Sequence, residues 1–375
     1  MKIGIITIHK SPNYGACLQC FALYKCLHKM GFSCEVIDLY RPTHQGYKES
    51  QKYRPYRAPK QSKMGKIKKW FLGHKNKHYL PSETQKKFNA FNAKIRYSKP
   101  YKGIEELYAN PPEYNIYITG SDQLWNPTME FCIEPYFLTF ASETAKKISF
   151  ATSIGISSLV ENEQKDFQKW LNNYSSISVR ERSAQQLLQT IINKEIQQIP
   201  DPTFLLDKTE WKSLMKIPSI NKPYILLFTL KTHSILDRYI VQLAKESGYK
   251  PVILSLNHPE VQDDNVVVVS NAGPEELLGY ITNAQMVITN SFHGTVFSLL
   301  LSTKNFFSYI EPSANRGYRI IDLLKLFDLE SHILNSTDLD YHSLSRKTIN
   351  RESVISIIDS ERKRSIEYLL TAVNK

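Results

Sequence analysis

Apolar runs alternate with amphipathic stretches along most of the chain. The first run, KIGIITI at 2–8, is apolar throughout, which is typical of a strand buried on both faces of a parallel sheet. A polar turn and the amphipathic stretch CLQCFALYKCLHKMG follow, with Gly31 as a helix stop, and CEVIDLY at 34–40 is the next strand. This strand–helix–strand unit predicts a parallel α/β sheet.

The same alternation continues on both sides of a linker, for which we take DPTFLLDKTEWKSL together with SINKP. Further strands are predicted, with helices between them, at 114–120, 146–155, 175–181, 224–230, 251–256, 266–270, 286–290 and 305–310. We therefore predict an α/β protein with two Rossmann-like domains facing a cleft, at 1–205 and 222–340. A basic insertion at about 42–85 interrupts the first domain, and a helix at 350–373 is expected to pack back on the body.

The net charge of +12 is concentrated in one segment. Residues 41–80 hold twelve Lys or Arg and one acid, Glu49, so this segment alone carries +11. The rest is nearly neutral and has no nucleic-acid motif, so no nucleic-acid partner is expected. Within the segment, MGKIKKWFL places Met64, Ile67 and Phe71 at helical spacing among lysines, which suits an anionic membrane surface. A solvated, disordered basic loop is the alternative.

Other bulk features place the protein in the cytoplasm. The chain has no run of 18 apolar residues, and its N-terminus opens as a strand without the pattern of a signal peptide. Five cysteines, an odd number, argue against a disulfide framework. Cys17 and Cys20 form a C-x-x-C pair without a second ligand pair, so packed thiols are expected rather than zinc. Neither a metal nor a cofactor is expected.

Every candidate polar motif lies just after a predicted strand. SPNYGA follows the first strand, TGSDQLWNP follows 114–119, VRERSA follows 177–179, and TNSFHGT follows 286–289. Because the carboxyl ends of parallel strands meet at one edge of a sheet, we expect these four motifs to lie close together.

The first two motifs have both binding and structural interpretations. Asn13 and Gly15 begin a helix, where backbone N–H groups suit phosphate or polar contacts, but a turn with an N-cap explains them equally well. The motif is not G-x-G-x-x-G, so a dinucleotide site is not favoured. Asp122 fits an Asx-turn, and Trp125 beside it offers a flat face for a sugar ring.

The arginines suit an anionic ligand. Arg180 follows a strand, and Arg316 and Arg319 precede or open a helix. Arginine binds carboxylate or phosphate in a bidentate manner, although pairing with Glu181 or simple solvation is the alternative.

His293 lies where an apolar strand ends and an apolar helix begins. Ser291 comes before it, and Gly294 and Thr295 follow. This position suits a general acid, and a buried histidine satisfied by the turn is the alternative.

The order of these motifs resembles that of the polysaccharide pyruvyl transferase family. The resemblance rests on TIHKSPNYGACLQCFALYKCLHKMGFSCEVIDLYRP, YITGSDQLWNP, KISFATSIG, ISVRERSAQQLL, DPTFLLD and VITNSFHGTVFSLL, and it covers most of the chain outside roughly 42–85 and the C-terminal helix. It implies a fold like that of the GT-B glycosyltransferases. It also implies transfer from phosphoenolpyruvate to two sugar hydroxyls, which gives a cyclic pyruvate ketal.

The resemblance also implies roles for single residues. His293 matches the family's proposed acid and Arg180 its arginine after SV, whereas Phe292 stands where the family often has a basic residue. Asp122 is then a candidate base. The N-terminal domain becomes the acceptor side, with Asn13, Tyr14, Gly15 and Trp125 as contacts. The second domain becomes the donor side, and the donor contacts are Arg180, Ser291, Gly294, Thr295, Arg316 and Arg319.

The implied acceptor is a sugar of a surface or capsular polysaccharide precursor, carried on a lipid, which would bring the enzyme to the inner face of the cell membrane. Two alternatives stay open: a nucleotide-sugar-dependent glycosyltransferase of the same fold, and a non-catalytic glycan- or membrane-binding module.

Overall fold

A computed structural model describes residues 1–42, 44–53, 56–57, 82–129, 132–229, 233–256, 261, 263–311 and 317–374. The amphipathic stretch MGKIKKWFL and Arg316 lie outside these described residues, so the predictions made for them stay predictions.

The first sheet is parallel and has the order β2-β1-β3-β4, and a further parallel pair, β5-β6, is joined to β4 by an isolated bridge between Ile148 and Ser176. Its strands are β1 (Lys2–Ile6), β2 (Ser33–Val36), β3 (Ile116–Thr119), β4 (Lys146–Ser149), β5 (Ile177–Val179) and β6 (Ile196–Gln198). Its helices are α1 (Tyr14–Lys29), α2 (Ser82–Asn92), α3 (Ile104–Ala109), α4 (Glu161–Leu171) and α5 (Arg182–Gln189).

The second sheet is parallel throughout, with the order β12-β11-β10-β7-β8-β9. Its strands are β7 (Tyr224–Phe228), β8 (Lys250–Leu254), β9 (Val267–Val269), β10 (Met286–Thr289), β11 (Phe306–Tyr309) and β12 (Ile333–Leu334). The helices from the linker onward are α6 (Lys208–Leu214), α7 (Ser234–Ser247), α8 (Pro274–Asn283), α9 (Phe292–Leu300), α10 (Tyr318–Leu326), α11 (Tyr341–Ser345) and α12 (Arg351–Asn374).

The α/β prediction is confirmed, and the strands are shorter than the apolar runs that predicted them. In the first run, β1 ends at Ile6, while Thr7 and Ile8 stay buried in the loop that follows. Buried residues therefore continue beyond the last residue that pairs within the sheet. For this reason the apolar pattern alone does not locate the end of a strand.

The expected linker is built into the core. Pro202–Leu205 forms a short 3₁₀ turn and α6 follows it. The Trp211 side chain is fully buried, and its indole N–H donates to the carbonyl of Thr203 at 3.0 Å. This linker is packed rather than exposed, because the Trp211 ring contacts Phe21 of the first domain and Phe297 of the second.

Helix α12 follows the second sheet but returns to the first. The Tyr368 hydroxyl donates to the carbonyl of Ser149 at 2.8 Å, and Nζ of Lys146 donates to the carbonyl of Val373 at 2.9 Å. The final helix therefore ties the two domains together.

Helices of both domains also meet directly. Helix α2, which the sequence did not predict, contacts α8 of the second domain, and Nζ of Lys87 lies 3.3 Å from Oε1 of Glu276. A second ion pair joins Lys94 and Glu275, also at 3.3 Å. These contacts join the two domains through their helices.

The five thiols are free and buried, as expected of packed cysteines. No helix within the described part of the chain is long and apolar enough to span a bilayer.

Candidate active site

The predicted motifs converge where the two domains meet. His293 lies in the first turn of α9, after β10, and Gly15 lies in the first turn of α1, after β1. A Cβ atom at position 15 would lie 1.9 Å from Nδ1 of His293. Only glycine permits this approach, so the first domain places its helix directly against the imidazole of the second.

Asp201 holds the centre of the site. One carboxylate oxygen accepts hydrogen bonds from the backbone N–H of Thr203 at 3.1 Å and from its hydroxyl at 2.9 Å. The other accepts from Nη1 of Arg180 at 3.0 Å and the hydroxyl of Ser121 at 3.1 Å, and lies 3.5 Å from Nε2 of His293. Burial raises the pKa of Asp201, but the charges of His293 and Arg180 and these hydrogen bonds outweigh it and hold the pKa below its usual range.

Arg180 is buried between two acids. Its Nε donates to Oε1 of Glu181 at 3.0 Å, and the same oxygen accepts the hydroxyl of Ser153 at 2.6 Å. Burial lowers the pKa of the Arg180 guanidinium, but the carboxylates of Glu181, Asp201 and Asp122 outweigh burial and raise it. The alternative interpretation, pairing with Glu181, is therefore part of the structure.

This buried network has unused hydrogen-bonding capacity. Nη2 of Arg180, Oε2 of Glu181 and Nε2 of His293 are buried and have no hydrogen-bond partner among the described residues. Since buried polar groups are nearly always paired, such a group needs an explanation, and a catalytic role is one of the recognised ones.

Phe292, the departure from the family pattern, lies close to two arginines. The guanidinium carbon of Arg180 is 4.3 Å from the ring centroid, and that of Arg319, on α10, is 5.7 Å from it. Both distances allow cation–π attraction. Phe292 therefore holds two cations beside His293 where a basic residue at its own position would repel them.

Asp122 follows β3 in a strained turn. Its φ of +77° lies in the left-handed region, which few residues other than glycine adopt. Its side chain accepts the N–H of the next residue, Gln123, at 2.8 Å, whereas an Asx-turn would reach the residue two positions on, so the side chain bonds locally without forming that turn. The strain still marks a position that the surrounding structure holds in place, as is common at active sites.

Two predicted acceptor contacts are corrected by burial. Trp125 is fully buried, its ring stacks on Phe137 at 5.4 Å, and its indole N–H donates to a backbone carbonyl. Tyr14 is 1% exposed and donates its hydroxyl to the carbonyl of Ala272 in the second domain at 2.9 Å. Trp125 is a core residue and Tyr14 a domain contact, so neither ring is open to a sugar.

Two further residues predicted to contact a ligand, Asn13 and Ser291, cap helices instead. Asn13 accepts the N–H of Ala16 at 3.2 Å and begins α1, and Ser291 accepts the N–H of Gly294 at 3.3 Å and begins α9. The bond at Asn13 is the N-cap that the structural alternative predicted, and Ser291 caps its helix in the same way.

Two more residues predicted to contact the donor, Thr295 and Gly294, are engaged in packing within the second domain. The Thr295 hydroxyl is fully buried and bonds the hydroxyl of Ser308 at 2.7 Å, which corrects its prediction as a donor contact. At Gly294 a Cβ atom would lie 2.3 Å from Oγ1 of Thr289, so glycine is needed here for close packing of α9 on β10.

Sequence reasoning missed Asp201, Ser121 and Ser153, and it named Glu181 only as the alternative partner of Arg180. Asp201 had a usable signal, because it follows strand β6 just as the four motifs follow theirs, but it was assigned to the linker. The role of Glu181 had no signal beyond its neighbour Arg180, because only the fold turns both side chains into one buried network.

A second polar cluster, also missed, lies after β1 and β2 and is called here the His9 cluster. Nδ1 of His9 is 2.9 Å from the carbonyl of Thr7, and Nε2 is 2.9 Å from Oδ1 of Asp38. The other oxygen of Asp38 accepts Nζ of Lys10 at 2.5 Å, and Arg41 donates to the carbonyl of His9 at 3.0 Å. Both ring nitrogens of His9 are thus engaged inside the protein.

Solved structures define the class to which this fold belongs. The chain is similar to the UDP-GlcNAc 2-epimerase of Methanocaldococcus jannaschii in complex with UDP-GlcNAc and UDP, at 11% identity and a TM-score of 0.50, over 100% of this chain and 99% of that chain. It is also similar to Arabidopsis thaliana UGT89C1 complexed with quercetin, at 10% identity and a TM-score of 0.51, over 99% and 98%. The class is α/β with two Rossmann-like domains, as in the GT-B glycosyltransferases and epimerases.

Comparison with a sequence model of a protein family assigns the chain to one family within this fold class. The model described as polysaccharide pyruvyl transferase matches residues 13–309, a span that includes Gly15, Arg180, Asp201 and His293. The chain therefore belongs to the polysaccharide pyruvyl transferase family, and it is a transferase. No curated protein matches the chain.

Proposed function

We propose that the protein transfers the enolpyruvyl-derived group of phosphoenolpyruvate to two hydroxyls of a sugar, which yields a cyclic pyruvate ketal on a bacterial surface or capsular polysaccharide precursor. The observation that carries this proposal is His293 beside a buried carboxylate, with Arg180 and Arg319 held next to it on Phe292. His293 would donate the proton, and the two arginines would bind phosphoenolpyruvate, which is a small, densely anionic molecule.

The chemistry needs one acid and a route for two sugar protons. His293 protonates the methylene carbon of the donor, and an oxocarbenium-like centre forms at the neighbouring carbon. One sugar hydroxyl attacks this centre, and the second then displaces phosphate and closes the ketal. Asp122 is the proposed base for a hydroxyl proton, and phosphate can carry the other away.

The cations have separate tasks in this proposal. Arg180 has one nitrogen without a partner among the described residues, and we assign this nitrogen to the donor. Arg319 lies 5.7 Å from the centroid of the Phe292 ring and supplies the second cation, in place of the basic residue that Phe292 replaces. Arg316, from the same segment, stays a candidate third contact.

The acceptor is proposed to be lipid-linked. The support is the charge of +11 on residues 41–80, which suits the anionic inner face of a cell membrane. Co-sedimentation with liposomes tests this part alone: binding should require anionic lipid, weaken with salt, and drop when Lys66, Lys68 and Lys69 become Glu. Wild-type protein left in the supernatant with anionic liposomes at low salt would exclude membrane docking.

The deciding experiment is mass spectrometry of lipid-linked saccharides incubated with the enzyme and phosphoenolpyruvate. A pyruvyl mass gain that requires both substrates supports the proposal. The GT-B fold itself favours a second candidate, a nucleotide-sugar-dependent glycosyltransferase. Calorimetric titration separates the two, because heat of binding with phosphoenolpyruvate and none with UDP-sugars supports pyruvyl transfer, and the reverse supports glycosyl transfer.

A further inference from the structure

We propose that Asp201 is a positioning residue that keeps a proton on Nε2 of His293, so that Nδ1, the ring nitrogen facing Gly15, is the atom that donates the proton to the substrate. The pairing of Asp201 with His293 rests on the structure alone. The assignment of Nδ1 as the proton donor rests on the function proposed above.

The surroundings of Asp201 require an ionised carboxylate. Thr203, Ser121 and Arg180 present N–H or O–H groups to its two oxygens at 2.9–3.1 Å. A protonated carboxyl would face these donors with a donor of its own, which costs hydrogen bonds in a buried site. The carboxylate therefore stays charged, and Nε2 of His293 lies 3.5 Å from it.

The charge of Asp201 then selects the tautomer of His293. A lone pair on Nε2 would point at a negative charge in a buried site, whereas an N–H there is attracted to it. Neutral His293 therefore carries its proton on Nε2, and the second proton of the imidazolium lies on Nδ1. The separation of 3.5 Å is longer than a formed hydrogen bond, as is often seen for catalytic pairs before substrate binds.

Gly15 decides which side of the ring faces substrate. A Cβ atom at this position would lie 1.9 Å from Nδ1 and 2.4 Å from Cγ of His293. Any side chain here would cover Nδ1, so glycine leaves that nitrogen free of a side chain at the N-terminal end of α1. Nε2, in contrast, is buried against Asp201.

In the proposed proton transfer, His293 gives one proton to the methylene carbon of phosphoenolpyruvate and keeps the other. The Nδ1–H bond breaks, and its proton joins the methylene carbon through the electron pair of the carbon–carbon double bond. The imidazole is left neutral, with its remaining proton on Nε2 beside Asp201. Other charged groups lie close to this pair. Arg180 acts on Asp201, Glu181 and Asp122 act on Arg180, and Arg319 lies beside Phe292, the neighbour of His293 in the chain.

The tautomer can be read directly by long-range ¹H–¹⁵N NMR of protein labelled with ¹⁵N-histidine. His293→Gln assigns the signal of His293. We expect the Nε2–H tautomer in neutral His293 of the wild type, and a larger share of the Nδ1–H tautomer in Asp201→Asn. The Nδ1–H tautomer in the wild type, or the same tautomer ratio in Asp201→Asn, would overturn the proposal. The wild-type measurement stands even if Asp201→Asn does not fold.

Asp207→Asn is the matched control. Asp207 accepts the N–H of Glu210 at 2.8 Å at the start of α6, a capping bond like the one from Asp201 to Thr203, but outside the His293 site. The Asp207→Asn variant should leave the tautomer of His293 and the turnover unchanged. Asp201→Asn should lower kcat by about tenfold or more, with the sugar KM unchanged.

These outcomes separate this inference from the proposed function. If the protein makes no pyruvyl ketal, the NMR result still decides whether Asp201 fixes the tautomer. If ketal forms but His293 carries its proton on Nδ1, the function stands and the role of Asp201 falls.

Discussion

Two buried clusters lie at the carboxyl edge of the first sheet, and each holds a histidine, an aspartate and an arginine. In the His9 cluster, all members come from the loops after β1 and β2 of one domain. In the other, which we call the His293 cluster, Asp201 and Arg180 come from the first domain and His293 from the second. The residue types are alike, so the clusters differ in which domains supply them and in the hydrogen bonds that they make.

The two histidines differ in how many of their ring nitrogens have hydrogen-bond partners. His9 has an oxygen within 2.9 Å of each ring nitrogen, whereas Nε2 of His293 has no hydrogen-bond partner within the described residues. Burial lowers the pKa of His9 more than its bond to Asp38 raises it. His9, with both ring nitrogens engaged within one domain, stabilises the fold, whereas Arg180 and Glu181 keep atoms without partners among the described residues where two domains meet, and these retain capacity for a ligand.

The largest expected effect follows from removing His293. His293→Gln should fold normally and lower turnover by about a hundred- to ten-thousand-fold, because it removes the proposed acid. The matched variant His9→Gln should keep its turnover and lose about 1–3 kcal/mol of unfolding free energy, since it breaks a buried hydrogen bond. Steady-state kinetics and urea unfolding of both variants measure this. Equal losses of turnover would remove the distinction between the clusters.

The next effect concerns Arg180. Arg180→Ala leaves Glu181 and Asp201 buried without their cation, and should lower the free energy of unfolding by about 3–5 kcal/mol. Arg180→Lys keeps the charge but loses the forked geometry, and should weaken binding of phosphoenolpyruvate by about 2–3 kcal/mol. Calorimetry with donor and with sugar separates the roles. An equal loss of both affinities would make Arg180 purely structural.

A smaller effect is expected from Gly15→Ala. Alanine favours a helix, but its Cβ atom would meet the imidazole of His293 and force it to shift. We expect turnover to fall by about tenfold, within the range that misplacing a catalytic group costs, with stability little changed. Gly31→Ala is the control: it meets open space at a φ of +85°, so it should cost about 1 kcal/mol of stability and no turnover. Full turnover in Gly15→Ala would show that the contact is not part of the site.

The smallest effect concerns a third buried histidine, His332, which is fully buried and stacks on Phe307. Burial lowers its pKa to about 4, from 6.5. Between these values the unfolded chain binds a proton that the folded protein does not, so stability falls as pH falls through this window, by up to about 1.4 kcal/mol per pH unit. Urea unfolding at pH 7 and pH 5 should show a larger acid loss in the wild type than in His332→Phe. An equal loss would mean that His332 titrates normally.

His332 also sharpens the comparison of the clusters. Its Nε2, like that of His293, has no hydrogen-bond partner in the described ranges. His332 packs against the aromatic rings of Phe306 and Phe307 on β11, and its neighbourhood differs from that of His293, which lies 3.5 Å from the carboxylate of Asp201. A buried nitrogen without a partner therefore indicates a site only where a carboxylate and cations surround it.

Much of the fold followed from pattern. Apolar runs predicted the strands and the parallel sheets because burial on both faces leaves no polar positions. Helix α2 was missed, since its neighbourhood in sequence is dominated by the basic segment. The packed linker was missed because a single tryptophan, Trp211, supplies its anchor.

The sequence by itself determined that His293, Arg180 and Asp122 follow strands, and the topology of a parallel sheet then requires such residues to gather at one edge. It did not determine which polar groups face one another. Only the tertiary structure brought Asp201 to His293, put Gly15 against Nδ1, and buried Trp125 away from any ligand. The physical reason is that strand periodicity is a local property, whereas the pairing of buried charges depends on two domains closing over groups that lie far apart in the chain.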